Sequence, residues 1–168
     1  MPKIEWFFDY ACPFCLRGHE YLLEIAPKYP DVEIVWCPCE AHPRPEPGPH
    51  SDLLSQSMYF ALKNGVDIWT YHKRMYKAGL TDRSKLVDID DIDSVCSYVS
   101  DLLDANALKK ALENGEFAEV HKQCNIHAYE ECGVWAVPSC RAENLKLDSV
   151  EGVGITPKQL DDFFAAAR

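Results

Sequence analysis

The chain has 168 residues, enough for one domain or one domain with a large insertion. Hydrophobic residues make up 47% and charged residues 26%, a globular balance that excludes a disordered or fibrous chain. The formal net charge of −10 argues against a nucleic-acid or anionic-membrane partner, and no run is long and apolar enough to span a bilayer.

Met1-Pro2-Lys3 leads straight into an apolar run, Ile4 to Phe8, which predicts a short buried strand. No secretory leader precedes it, so a cytoplasmic location is expected, and the 8 cysteines are expected mostly as thiols. Cys12 to about Pro27 has helical periodicity, with Leu16, His19, Leu22, Leu23 and Ala26 on one face. Val32 to Trp36 alternates and is β-branched, which predicts a second strand, parallel to the first. Pro38, Pro43, Pro45, Pro47 and Pro49 then bar any helix from their segment. From Ser51 the pattern is helical throughout: Asp52–Asn64, Asp67–Lys77, a helix capped by Asp90 or Asp91, Ala105–Leu112 and Glu116–Glu131. After Gly133 come Val134 to Val137, Pro138, a short run through Cys140 and a strand around Leu145–Leu147. Thr156-Pro157 opens a last helix through Phe164. The order is β-α-β, a helical block, then β-β-α.

Cys12-Pro13-Phe14-Cys15 stands between the first strand and the first helix. A CxxC there puts the first sulfur at a helix N-terminus, where unpaired N–H groups and the positive dipole end favour a thiolate. Cys15 lies one turn further along the same face and can close an intramolecular disulfide. Zinc sites usually need a second CxxC or a histidine pair at matching spacing, and the remaining cysteines are scattered. The pattern therefore points to dithiol–disulfide exchange, with Cys12 attacking and Cys15 resolving.

Three motifs together, Phe8-Asp9 with Cys12-Pro13-Phe14-Cys15, Trp36-Cys37-Pro38-Cys39-Glu40-Ala41-His42-Pro43 and Gly133-Val134-Trp135-Ala136-Val137-Pro138, resemble the DsbA-like thioredoxin superfamily. Within it the chain is most similar to the FrnE-like dithiol oxidoreductases, relatives of 2-hydroxychromene-2-carboxylate isomerases and kappa-class glutathione transferases. The resemblance implies an α/β, thioredoxin-like fold with a large all-helical insertion. Residues 1–43 and 133–168 would form the two halves of the core, and 44–132 the insertion. It further implies a cis Val137–Pro138 bond facing the CxxC, with Pro138 in the catalytic set and Pro13, Phe14 and Val137 meeting the substrate. The implied activity is thiol–disulfide exchange with protein or small-molecule substrates, in either redox direction, with no cofactor beyond the Cys12–Cys15 pair and no metal. Phe14 offers the thiolate no hydrogen bond, so a less oxidising couple than that of DsbA itself is expected.

Asp9 is a candidate for proton transfer at Cys15; its alternative is an exposed turn carboxylate. His19 reads as helix surface or core. The resemblance breaks at Cys39, Ala41 and His42 and again at Ser139 and Cys140. Cys37, Cys39 and Cys140 are therefore candidate auxiliary thiols near the active end, either as a relay or as small apolar fillers. Cys37-Pro38-Cys39 with His42 also offers soft metal ligands, at a spacing that bites an ion poorly. His121, Cys124, His127 and Cys132 fall on one predicted helix and drift round it, so they read as structural or solvent-facing. Two rival functions remain. A glutathione-dependent isomerase or transferase would carry serine where Cys12 stands, and a cysteine-rich metal-binding module would keep the fold and lose the redox role.

Overall fold

A computed structural model describes residues 1–83 and 89–168. It divides into two compact units, one made of Met1–Ala41 with Cys124–Arg168 and the other of His42–Gln123.

The first unit is built on four strands: β1 (Lys3–Phe8), β2 (Glu33–Pro38), β3 (Ser139–Ala142) and β4 (Leu145–Leu147), in the order β2-β1-β3-β4. β1 and β2 run parallel, and β3 is antiparallel to both β1 and β4. Between β1 and β2 runs α1 (Pro13–Ile25), extended by a 3-10 turn at Ala26–Lys28, and the chain closes with α7 (Pro157–Ala167). α1 packs against α7, which also lies on β1 and β4. The α/β architecture and the thioredoxin-like β-α-β and β-β-α halves are those expected. α7 begins as its sequence promised: Pro157 takes the first turn, and Thr156 and Gln159 form a reciprocal capping box.

Side chains alternate along β1, so the sheet has two distinct faces. Ile4, Trp6 and Phe8 point one way; Glu5 and Phe7 point the other. α1 lies on the Trp6 face, because the Trp6 ring comes up against Gly18 of that helix. The Phe7 face is covered by the segment from Ala128 to Val137, and Phe7, Cys37, Cys39, Ala128 and Val134 form its apolar cluster.

The second unit holds α2 (Asp52–Lys63), α3 (Ile68–Tyr76), α4 (Ile92–Tyr98) and α5 (Ala105–Glu113), with α2 packed on α3 and α5, and α4 on α5. Three aspartates start helices by accepting backbone N–H groups in the first turn: Asp67 for α3, Asp91 for α4 and Asp104 for α5. α6 (Ala118–Ile126) carries the chain across the division at Cys124. The helix expected over Glu116–Glu131 does not run unbroken. It stops at Ile126 and continues as a π turn, His127–Glu131, closed by the Cys132 N–H on the His127 carbonyl at 2.9 Å.

Candidate active site

Cys12 is the residue that starts α1. Its backbone is extended, Pro13 fills the first helical position, and its sulfur accepts the Cys15 N–H at 3.4 Å. Sulfur thus occupies the capping role that a serine or aspartate oxygen plays elsewhere. The arrangement holds the Cys12 thiol below its usual range. The hydrogen bond from the Cys15 side chain contributes most, partial burial opposes it, and the N–H groups of Cys15 and Phe14 add to the lowering. Cys15, one turn on, is fully buried, and burial first, then the Cys12 sulfur, pushes its thiol well up. One thiol is partly exposed and shifted down; the other is buried and shifted up.

The third component comes from the far half of the unit. The Val137–Pro138 peptide bond is cis, and the Val137 carbonyl lies 3.8 Å from the Cys12 sulfur, within reach of its thiol proton. Gly18 makes this approach possible. A Cβ at that position would stand 3.0 Å from Pro138 Cγ and 3.0 Å from Trp6 Cη2, closer than carbon atoms pack. Glycine inside a helix costs stability, and here its bare backbone lets α1 seat against the Val137–Pro138 loop. Gly154, at φ +82°, plays a similar part under Phe14, where a Cβ would meet Phe14 Cδ1 at 3.2 Å. Neither glycine was singled out from the sequence, although a glycine three residues after Cys15 in a helix interior was the available signal.

Asp9 is buried rather than exposed, which removes the turn-carboxylate alternative. Its Oδ1 accepts the Ala11 N–H at 2.8 Å and its Oδ2 the Ala41 N–H at 2.9 Å. The carboxylate therefore ties the CxxC approach to the segment leaving β2, while its own N–H donates to the Cys15 sulfur at 3.4 Å. His19 is buried, and burial lowers its pKa to about 4, so it is a neutral core residue at physiological pH.

The auxiliary cysteines do not gather in one place. Cys37 pairs with Phe7 in register, so its side chain lies on the Phe7 face. Cys39 joins the same buried cluster. Cys140 pairs with Trp6 and lies on the opposite face, that of α1. Burial pushes all three thiols up out of the physiological range. His42 is exposed, while Cys37 and Cys39 are buried.

Residues 3–60 match the DSBA-like thioredoxin domain. The fold is shared with a probable DsbA oxidoreductase from Streptomyces coelicolor, with a TM-score of 0.80 at 13% identity over 99% of this chain and 90% of that one. A thioredoxin-like oxidoreductase from Silicibacter pomeroyi superposes with a TM-score of 0.70 at 20% identity, covering 99% and 86% of the two chains. DsbA of Chlamydia trachomatis gives 0.65 at 13% identity, covering 98% and 85%. In sequence, the chain is 28% identical to the uncharacterized protein YwbO of Bacillus subtilis, over 95% of this chain and 96% of that protein. The domain match covers residues 3–60, and the solved structures share the fold of the whole chain.

Proposed function

We propose that the protein is a thiol–disulfide oxidoreductase working through Cys12 and Cys15. The observation that carries this is the contrast between the two sulfurs: Cys12 partly accessible with a lowered pKa at the start of α1, Cys15 buried with a raised one. The Cys12 thiolate attacks a substrate disulfide, forms a mixed disulfide and expels one substrate thiolate. Cys15 then loses its proton to solvent or to the expelled thiolate and attacks the Cys12 sulfur. The second substrate thiolate leaves, and the pair ends as a disulfide. The substrate gains the two electrons that the pair loses, and the same steps reversed oxidise a substrate dithiol.

Val137, Pro138, Pro13 and Phe14 would receive the substrate. The Val137 carbonyl is the acceptor nearest the reacting sulfur, and Trp135 and Val153, exposed on the adjoining loops, extend the apolar surface. Asp9 would hold the loops at Cys15. Protein or small-molecule disulfides are the proposed partners, the dithiol pair the only redox group, the cytoplasm the proposed location and the FrnE-like branch the proposed subgroup. A serine at position 12 would favour the glutathione-dependent isomerase reading; cysteine there supports exchange. The test is trapping. Cys15→Ser should accumulate a mixed disulfide between Cys12 and a protein substrate, and Cys12→Ser should be inactive. Turnover retained by Cys12→Ser would overturn the assignment.

A further inference from the structure

His127 and Cys132 are five residues apart, which on an α-helix would set them about 140° apart around the axis. The π turn changes this. It draws Cys132 back beside His127, leaving its sulfur 3.4 Å from Nε2 and 3.9 Å from Nδ1 of the imidazole. Glu5, on the Phe7 face of β1, reaches the same ring nitrogen, with its Oε1 2.7 Å from Nε2. One donor atom from each of Glu5, His127 and Cys132 thus lies within 4.8 Å of the other two, and among the described residues no other group of three such side chains does so. All three are partly exposed, so an ion and a water molecule have access.

We propose that Glu5, His127 and Cys132 form a binding site for a divalent transition-metal ion of the zinc type, on the sheet face opposite α1. A tetrahedral zinc ion holding an imidazole nitrogen and a thiolate at ordinary bond lengths separates the two donors by about 3.5 Å. The observed nitrogen–sulfur separation is 3.4 Å; because the sulfur is also 3.9 Å from Nδ1 it lies beside the ring, and the Cys132 side chain turns outward toward the Nε2 lone pair when the ion binds. The nitrogen–oxygen separation of 2.7 Å would open by about half an ångström as the ion takes the place of the proton between Nε2 and Oε1. The Cys132 thiol gives up its proton to become the sulfur ligand, and water takes the fourth position. Nitrogen, sulfur and carboxylate oxygen together are a donor set suited to zinc rather than to calcium or magnesium.

The surroundings are those of a metal-binding histidine. Glu131 Oε2 lies 2.7 Å from His127 Nδ1, which orients the ring and keeps a proton on that nitrogen while Nε2 exchanges its proton for the ion. The Arg141 guanidinium donates twice to the Cys132 carbonyl, at 3.1 and 3.0 Å, and is itself held by Asp148 at 2.8 Å, so the sulfur's backbone is anchored. This site is independent of the redox proposal and shares no residue with it.

The test uses the reduced full chain carrying Cys12→Ala and Cys15→Ala, which removes the competing active-site thiols. Titration with Co²⁺ should show one equivalent bound with a sulfur-to-cobalt charge-transfer band, displaced by Zn²⁺. Cys132→Ser should abolish the band, His127→Gln should weaken binding more than tenfold, and Glu131→Gln should weaken it by roughly tenfold to a hundredfold. Circular dichroism before metal is added establishes that each variant is folded. A second readout needs no substitution at the site: saturating Zn²⁺ should protect Cys132 from alkylation. No Co²⁺ uptake, uptake unchanged by both Cys132→Ser and His127→Gln, or equal Cys132 labelling with and without Zn²⁺ would each overturn the proposal, leaving an ion-paired histidine that pins the π turn to β1.

Discussion

Gly18→Ala separates two opposing effects whose sum reports how tightly α1 is seated. Replacing glycine by alanine inside a helix normally stabilises by about 1 kcal/mol, through lower chain entropy and better helix propensity. Here the new methyl would lie 3.0 Å from Pro138 Cγ and 3.0 and 3.1 Å from two atoms of the Trp6 ring. Ordinary carbon contacts are about 3.5–4.0 Å, so the helix or its neighbours must retreat by roughly half an ångström or more. Trp6 is fully buried and Pro138 is ring-constrained, so neither gives way cheaply. Overpacking of this kind costs about 1–3 kcal/mol, which outweighs the propensity gain and leaves a net loss of roughly 1 kcal/mol. The retreat also moves Cys12 from the Val137 carbonyl, so disulfide-exchange turnover should fall further than stability alone requires. Urea unfolding of the reduced protein, with turnover measured well below the transition, reads both effects. A variant more stable by about 1 kcal/mol with unchanged turnover would refute the close seating of α1 on the Val137–Pro138 loop.

Asp9→Ala should destabilise by at least about 2 kcal/mol, because two backbone N–H groups lose a charged acceptor, and Asp9→Asn should recover only part of this; equilibrium unfolding at neutral pH checks it. His19 has a folded-state pKa of about 4, below its ordinary value near 6.5, so its contribution is complete above pH 6.5 and is lost as pH falls towards 4. The depression corresponds to about 3 kcal/mol, so the wild-type stability profile should drop over that window relative to His19→Leu, and parallel profiles would contradict it. Alkylation of reduced Cys12 should titrate below the ordinary cysteine value of about 8.5. Cys15→Ala should move that inflection upward, since the Cys15 side chain is the largest cause of the lowering; an unmoved inflection would assign the effect to the helix start alone.

The CxxC was legible because strand, turn and helix patterns met at Cys12, and that local geometry is enough to set one sulfur at a helix start. The Asp67 cap and the choice between Asp90 and Asp91, which the structure settles on Asp91, were readable for the same reason, as caps act within one turn. What escaped the sequence depends on partners far apart in it. The burial of Asp9 follows from the amides of Ala11 and Ala41 converging on one carboxylate, and no periodicity records that. Grouping Cys140 with Cys37 considered which end of a strand each occupied but not which face. Register decides the face, and pairing with Trp6 rather than Phe7 sends Cys140 to the other side. The His127–Cys132 approach was hidden because the expected helix had an α periodicity through Glu131, whereas the π turn inserts a residue and rotates everything beyond it.

Differential alkylation across a redox titration, read by mass spectrometry at each cysteine, tests the Cys12–Cys15 couple. Cys12 and Cys15 should be oxidised together, as a single two-electron couple, and reduced together by a disulfide-exchange partner. Cys37, Cys39 and Cys140, buried on two faces of the sheet, should stay reduced throughout. Oxidation of Cys12 without Cys15, or of either one in partnership with Cys37, Cys39 or Cys140, would contradict the pairing of Cys12 with Cys15.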